Sequence, residues 1–166
     1  NTKASKIIGL DISAGMLDVG KKKIEAKGLS KRIEMVLGDS ESISYADNSF
    51  DAITVAFGVR NFENLEKGLS EILRVLKPNG VFVILETSVP EKFPFKQGYK
   101  LYTKHILPLI GKIFSKDNSA YGYLSESASN FPYGEALNNI LRKIGFIEVQ
   151  HNPQTFGVAT IYRATK

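Results

Sequence analysis

Residues 51–86 read DAITVAFGVRNFENLEKGLSEILRVLKPNGVFVILE, and this pattern predicts a strand, a helix and a second strand. The first apolar run ends at Phe57, and the last, VFVILE, occupies residues 81–86. Between them leucine and isoleucine recur at helical spacing, and Pro78-Asn79-Gly80 supplies a turn. Both strands are continuously apolar instead of alternating, which is typical of a sheet covered by helices on both faces.

The rest of the chain continues the alternation of strands and helices. Ser13 is suited to cap a helix and Gly28 to end it, and the last two strands are expected to form a hairpin-like pair. The predicted elements are the strands Lys6–Leu10, Arg32–Leu37, Phe146–Gln150 and Gly157–Arg163 and the helices Ala14–Lys27 and Tyr133–Ile144. We therefore predict an α/β fold.

The composition limits both the size and the chemistry of the protein. Its 166 residues suit a single domain over residues 1–166, with an inserted segment at about 91–132. The chain has no cysteine, which excludes a disulfide framework and a thiol nucleophile, and we expect no metal site. No stretch approaches the roughly 20 apolar residues that span a bilayer. The net charge of +5 is compatible with nucleic acid, an anionic membrane or simply a lysine-rich surface.

Acidic residues follow the first two predicted strands. Ligands of open α/β sheets bind outside the carboxyl ends of the strands. There Asp11 can accept hydrogen bonds from ribose hydroxyls, Asp39 from an adenine amino group, and the backbone N–H of Ser40 can donate to the adenine ring. The alternative for both acids is a structural turn or a helix cap.

The strand that begins at Asp51 is followed by Gly58-Val59-Arg60-Asn61. Arg60 is always protonated, so it is a poor general base but can stabilise negative charge that develops on an acceptor oxygen. Asn61 can orient the acceptor or the cofactor. The alternative is that Arg60 pairs with a nearby acid and Asn61 caps the next helix.

Several motifs fall in the order of a known family. They are Asp39-Ser40-Glu41, Asp47-Asn48-Ser49-Phe50-Asp51, Phe57-Gly58-Val59-Arg60-Asn61, Arg74-Val75-Leu76-Lys77-Pro78-Asn79-Gly80, Leu85-Glu86, Ser115 to Leu124, Phe131-Pro132, Gly145-Phe146 and Phe156-Gly157. The chain resembles, over nearly its whole length, the menaquinone/ubiquinone C-methyltransferase family. The Phe-Gly-x-Arg-Asn and Ala-Tyr-x-Tyr-Leu elements are its most specific motifs.

The resemblance implies a Rossmann-like class I methyltransferase fold, with a mostly parallel sheet and an antiparallel C-terminal strand. It implies S-adenosylmethionine as methyl donor and the ring carbon of a polyprenylated quinol as acceptor. Methyl transfer from a sulfonium is an in-line displacement, so the protein has to align the reactants and stabilise phenolate-like charge. The implied catalytic residues are Arg60 and Asn61. The implied cofactor-binding residues are Asp11, Ile12, Met16, Asp39, Ser40 and Ala56, and the implied substrate-binding residues are Tyr121 and Tyr123.

One feature of the family is missing from this chain. Its first strand and the glycine-rich loop that holds the methionine end of the cofactor cannot fit into the ten residues before Asp11. In the family that strand lies between the strands that start here near Lys6 and Asp51. A sheet without it leaves two rows of backbone groups unpaired.

The segment Lys92–Phe114 carries lysines every four residues together with aromatic residues. A helix there can lie at the surface of a membrane and admit a lipid tail, or it can be an ordinary helix with a solvated lysine face. We expect a cytoplasmic protein, with peripheral membrane contact and a homodimer as further possibilities and no nucleic-acid partner. The rival functions are methylation of another small molecule and a non-catalytic module that keeps the fold.

Overall fold

The computed structural model describes residues 4–106 and 131–166, which form six strands and four α-helices. The strands are β1 (Ile7–Asp11), β2 (Ile33–Leu37), β3 (Phe50–Ala56), β4 (Leu76–Thr87), β5 (Ile147–Gln154) and β6 (Ala159–Thr165). The helices are α1 (Ala14–Ala26), α2 (Leu65–Val75), α3 (Phe95–Leu101) and α4 (Glu135–Ile144). Short 3-10 turns cover Val59–Asn61 and Thr155–Gly157, and a π-helical turn covers Tyr102–Ile106.

The strands form two separate sheets in the described part of the chain. β1 pairs with β2 in parallel, while the order of the other sheet is β3-β4-β6-β5. β3 is parallel to β4, and β6 runs antiparallel to both of its neighbours. The predicted α/β class and the antiparallel C-terminal strand are confirmed, and the hairpin-like pair is β5 with β6.

No ladder joins β1 to β3 among residues 4–106 and 131–166. Thr54 and Ala56, on β3, are exposed, although they belong to an apolar strand. In the family that the sequence resembles, the first strand lies between the strands that correspond to β1 and β3. Within the described residues, β1 and β3 therefore each have one edge with unpaired backbone groups.

Packing of α1 against the small sheet depends on Met35. A Cβ added at Gly9 of β1 would lie 2.6 Å from the Met35 sulfur, and one at Gly20 of α1 would lie 2.8 Å from Met35 Cε. The two glycines thus make room for one large side chain from β2. Ser13 caps α1 by accepting a hydrogen bond from the Met16 N–H, as predicted.

The main core lies between the larger sheet and helices α2 and α4. Their fully buried side chains include Leu69 and Leu141, and the sheet contributes Phe82 and Ile84. Phe82 also stacks on Phe146 at a centroid distance of 5.4 Å. Burial of each such side chain contributes about 1.5–3 kcal/mol. Hydrophobic burial therefore stabilises the larger sheet and its helices more than it stabilises the sheet of β1 and β2.

The predicted turn Pro78-Asn79-Gly80 lies inside a strand. β4 begins at Leu76 and contains an irregularity, so the register with β3 shifts between Phe50↔Leu76 and Ala52↔Val81. Asn79 takes φ 63° at this point, a conformation that asparagine tolerates. Its N–H donates to the carbonyl of Lys166, and the Lys166 N–H donates to the carbonyl of Gly80. The predicted turn is therefore present as this irregularity at Asn79, inside β4 and not as a separate connection before the strand.

The predicted helix in Lys92–Phe114 is present in part. It begins at Phe95, and after Leu101 it widens into the π-helical turn. Residues 107–114 of the predicted segment lie outside the described part of the chain. Within residues 4–106 and 131–166 no helix has the length and apolar character needed to cross a bilayer.

Candidate active site

The ends of β1 and β2 bring Asp11 and Asp39 to one rim. The N–H of Gly38 donates to the carbonyl of Asp11 over 3.1 Å, which joins the two strand ends directly. Each aspartate makes the same local turn: Asp11 Oδ1 accepts from the Ser13 N–H and Asp39 Oδ1 from the Glu41 N–H, both at 2.8 Å. The structural alternative is therefore present at both sites, but within the described part of the chain it occupies one oxygen of each carboxylate.

Two exposed apolar side chains follow Asp11 in the chain. Ile12 and Met16, on the side of Asp11 that begins α1, are 74% and 61% exposed. Ser40 is half-buried beside Asp39. Exposed aliphatic groups next to acceptors suit a ligand with a flat apolar ring and polar edges. Gly38, which precedes Asp39, packs closely on β1: a Cβ there would lie 3.0 Å from Leu10 Cδ1.

The end of β3 is strained where it turns toward Arg60. Phe57 has φ 55°, in the left-handed region that costs a non-glycine residue about 1–3 kcal/mol. Its N–H donates to the carbonyl of Leu85 on β4. The following 3-10 turn is held by Phe62, whose ring covers Gly68 of α2; a Cβ at Gly68 would lie 2.6 Å from Phe62 Cε2. Strain held in place by its surroundings often marks a functional site.

Arg60 pairs with Glu86, the acid near the end of β4. Arg60 Nη1 lies 2.6 Å from Glu86 Oε1, with 10% of the arginine side chain exposed and none of the glutamate's. The same Nη1 donates to the carbonyl of Phe57 at 2.7 Å, and the Arg60 N–H donates to Glu86 Oε2 at 3.3 Å. The pairing that the sequence left open as an alternative for Arg60 is thus observed.

Glu86 has further partners that fix its carboxylate. The Thr87 N–H donates to Oε1 at 2.8 Å, and the Thr87 hydroxyl lies 3.2 Å away. Sequence reasoning gave Glu86 no role, although the rule applied to Asp11 and Asp39 also selects it, because it is an acid at the end of an apolar strand. A second signal was available, since the alternative in which Arg60 pairs with an acid calls for a carboxylate near it.

Glu41 links the two sheets at the same rim. It is 9% exposed, and its Oε1 accepts from the N–H of Asn64 at 2.8 Å. Asn64 caps α2 by accepting from the Lys67 N–H, so the alternative prediction that Asn61 is the cap was wrong. The contact places the loop after Asp39 against the start of α2, three residues beyond Asn61. The acids and the Arg60 turn therefore lie along one rim.

A second contact strengthens this link. Glu71 of α2 accepts from the Ile43 N–H at 2.9 Å and from Arg74 Nε at 2.7 Å. Arg74 also donates to the carbonyls of Ile43 and Tyr45. The hydrogen bond from Arg74 holds the pKa of Glu71 below its usual value, and the pairing raises the pKa of Arg74. The loop after β2 is thereby fixed to α2 by charged hydrogen bonds.

The remaining predicted residues are distributed as follows. Ala56 is the last residue of β3 and is exposed. Asn61 ends the 3-10 turn, is exposed, and donates its N–H to the carbonyl of Gly58. Tyr121 and Tyr123 lie outside the described residues. The structure thus groups the predicted cofactor and catalytic residues, and the role of each stays a prediction.

The fold is that of the class I, Rossmann-like methyltransferases. A phosphoethanolamine N-methyltransferase of Haemonchus contortus, solved in complex with S-adenosyl-L-methionine, superimposes with a TM-score of 0.69. The match covers 97% of this chain and 43% of that one, at 16% sequence identity. At this identity the likeness establishes the fold alone.

The sequence matches the ubiE/COQ5 methyltransferase family over residues 1–166, and the chain belongs to that family. A demethylmenaquinone methyltransferase of Bacteroides fragilis is 52% identical over 161 residues, covering 97% of this chain and 66% of its own length. A demethylmenaquinone methyltransferase of Bacillus cereus is 45% identical over 161 residues, covering 97% of this chain and 68% of its own length. The chain thus spans about two thirds of the length of these relatives.

Proposed function

We propose that this chain is the larger part of an enzyme that moves a methyl group from S-adenosylmethionine to a ring carbon of a polyprenylated quinol. Demethylmenaquinol is the acceptor we favour, because the relatives at 52% and 45% identity are named demethylmenaquinone methyltransferases. The observation that carries the proposal is the contact of Glu41 with Asn64. It brings acids suited to adenosine and a positioned arginine onto one rim.

The residues at this rim fit an adenosine group. The second oxygen of Asp11 suits the ribose hydroxyls, Asp39 suits the adenine amino group, and the N–H of Ser40 can donate to the ring. Ile12 and Met16 expose the aliphatic surface that such a ligand would cover. When bound, the cofactor supplies an electrophilic methyl group.

Arg60 is the residue proposed to stabilise negative charge on the acceptor oxygen. Glu86 and the carbonyl of Phe57 hold its Nη1 in place, so it needs no reorganisation as the charge develops. Its Nε is buried and has no hydrogen-bond partner among the described residues. A buried donor left without a partner costs about 1–3 kcal/mol, which an acceptor oxygen close to this guanidinium would offset.

Asn61, Tyr121 and Tyr123 complete the proposed acceptor side. Asn61 follows Arg60 on the same 3-10 turn and is exposed, so its amide can orient the ring. Tyr121 and Tyr123 are assigned only through their family motif. Ala56 ends β3, where a cofactor lying across the sheet would pass.

We place the protein in the cytoplasm, at the surface of a membrane. Phe93, Leu101 and Ile106 are 80%, 61% and 46% exposed, and Lys92 and Lys96 are exposed beside them. Exposed apolar groups flanked by lysines suit an anionic interface. A homodimer stays a prediction.

The test is a methylation assay on the full-length protein with radiolabelled S-adenosylmethionine. A prenylated demethylnaphthoquinol and the corresponding benzoquinol are compared side by side, with a reaction lacking acceptor as control. We expect label in the naphthoquinol product. Label in neither quinol, with cofactor bound normally, would favour methylation of another small molecule, and failure to bind cofactor would favour a non-catalytic module.

A further inference from the structure

An apolar cavity of about 510 Å³ lies between α3 with its π-helical turn and the turn that joins β5 to β6. Its wall includes Pro90, Pro94, Phe95, Tyr99, Tyr102 and Phe156. No charged side chain lines it among the described residues. The volume lies within the range of small-molecule sites, and the lining excludes an anionic head group or a nucleotide as the main ligand.

Phe156 forms one side of this cavity in an unfavourable conformation. Thr155 and Phe156 both have positive φ, at 48° and 59°. The Phe156 ring stacks on Phe95 with a centroid distance of 4.2 Å and an interplanar angle of 10°, yet the residue is 72% exposed. An exposed aromatic side chain in a strained turn has little value for stability, so a ligand is the better explanation.

Two hydrogen bonds from Ser88 hold the turn between β5 and β6 at the end of β4. The Ser88 hydroxyl donates to the carbonyl of Gly157, and the Ser88 N–H donates to the carbonyl of Val158, both at 2.9 Å. Gly157 has φ 94°, and a Cβ there would lie 3.2 Å from Pro90 Cα. The cavity wall is therefore built around a close contact that only glycine allows.

The cavity and the Arg60 site share the end of β4. Pro90 follows Glu86 by four residues, so their Cα atoms are at most about 14 Å apart. In the sheet Thr87 pairs with Ala159, which pairs with Gln154, so the β5–β6 turn lies on the same rim as Glu86. A ligand whose polar head reaches Arg60 can extend its other end into the cavity.

We propose that this cavity holds the first isoprenoid units of the acceptor's tail, an inference that rests on the proposed function. The lining matches an uncharged hydrocarbon chain in both chemistry and size. Tyr99 lines the cavity and can offer its apolar ring face to that chain. The cavity would thus set the preference for prenylated over unprenylated acceptors.

The test compares two acceptors in the full-length protein: a demethylnaphthoquinol with a prenyl tail and one with a methyl group in its place. The variant is Phe156→Ser, and the control is Ile147→Ser, which removes an apolar residue, 55% exposed, at the opposite end of β5. We expect Phe156→Ser to raise KM for the prenylated acceptor about tenfold and to leave KM for the short acceptor unchanged. Equal effects on both acceptors, or no effect on either, would overturn the proposal.

A binding measurement separates this proposal from the proposed function. Calorimetry with farnesol, a bare isoprenoid alcohol, should show binding that Phe156→Ser weakens and Ile147→Ser does not. If methylation fails with every quinol but farnesol binds and Phe156→Ser weakens that binding, the proposed tail site is supported and the proposed reaction is rejected. If farnesol does not bind and Phe156→Ser reduces only co-sedimentation with anionic lipid vesicles, the surface contacts a membrane and the tail site is rejected.

Discussion

Arg60 Nη1 lies 2.6 Å from Oε1 of Glu86, a carboxylate with no exposed surface. A residue of the 3-10 turn after β3 and a residue near the end of β4 thus form a buried ion pair at the proposed reaction site. Breaking such a pair by removing one partner costs about 3–5 kcal/mol, because the other charge stays buried alone. We predict that Glu86→Gln lowers the free energy of unfolding by about that amount, as measured by urea titration.

An exposed ion pair is the control for this prediction. Asp51 lies 2.7 Å from Lys77 with 86% of its side chain exposed, so Asp51→Asn should change stability little. If Glu86→Gln were no more destabilising than Asp51→Asn, Glu86 would not be holding a buried charge in solution.

Asp11 is predicted to bind the ribose. Asp11→Ala should weaken binding of S-adenosylmethionine by about tenfold or more, since a charge-assisted hydrogen bond contributes roughly 1.5–3 kcal/mol. Isothermal calorimetry on the full-length protein measures this directly. Asp18→Ala, on the exposed part of α1, is the matched control, and equal affinity for the two variants would remove Asp11 from the site.

Gly157 is predicted to be essential to the turn between β5 and β6. Gly157→Ala places a methyl group 3.2 Å from Pro90 Cα at φ 94°, which should cost about 1–3 kcal/mol. Gly15→Ala, in the first turn of α1, where a Cβ would lie 4.0 Å from Ser13 Oγ in ordinary contact, should be neutral or slightly stabilising. Thermal unfolding of both variants tests this, and a Gly157→Ala protein as stable as wild type would contradict the described turn.

Glu71 is predicted to make stability depend on acid pH. The hydrogen bond from Arg74 is the main cause that lowers the pKa of Glu71 below its ordinary value of 4.5. The ionised carboxylate therefore stabilises the folded state fully at pH values well above 4.5. This contribution to the free energy of unfolding is lost as pH falls through the lower pKa of the folded state. Glu71→Gln should be less stable than wild type at pH 7. The difference should narrow as pH falls below about 5 and through the lowered pKa of Glu71. Parallel stability curves for the two proteins would show that the pairing is absent.

Local patterns predicted most of the elements in this chain. Ser13 caps α1 and Gly145 ends α4 with φ 121°, because caps and left-handed ends depend on neighbouring residues alone. The π-helical turn after Leu101 was not predicted, since no local residue marks it. Likewise Asn64, and not Asn61, caps α2, and two asparagines so close together cannot be separated by pattern.

The site was predicted less completely than the fold. Asp11, Asp39 and Arg60 were selected by their positions after strands, and the rule is sound because parallel strands end at one rim. The pairing of Arg60 with Glu86 spans 26 residues, and the contact of Glu41 with Asn64 spans 23. Such contacts depend on how strands and loops meet in space, which a one-dimensional pattern does not contain.

The most direct test of the account is the effect of Arg60→Lys on turnover and on cofactor affinity in the full-length enzyme. Lysine keeps a positive charge that can pair with Glu86, but it lacks the planar guanidinium that donates to two acceptors at once. We predict that kcat with a prenylated demethylnaphthoquinol falls by about a hundredfold while the Kd for S-adenosylmethionine is unchanged. Unchanged kcat, or a loss that appears entirely in cofactor binding, would contradict the role given to Arg60 at this rim.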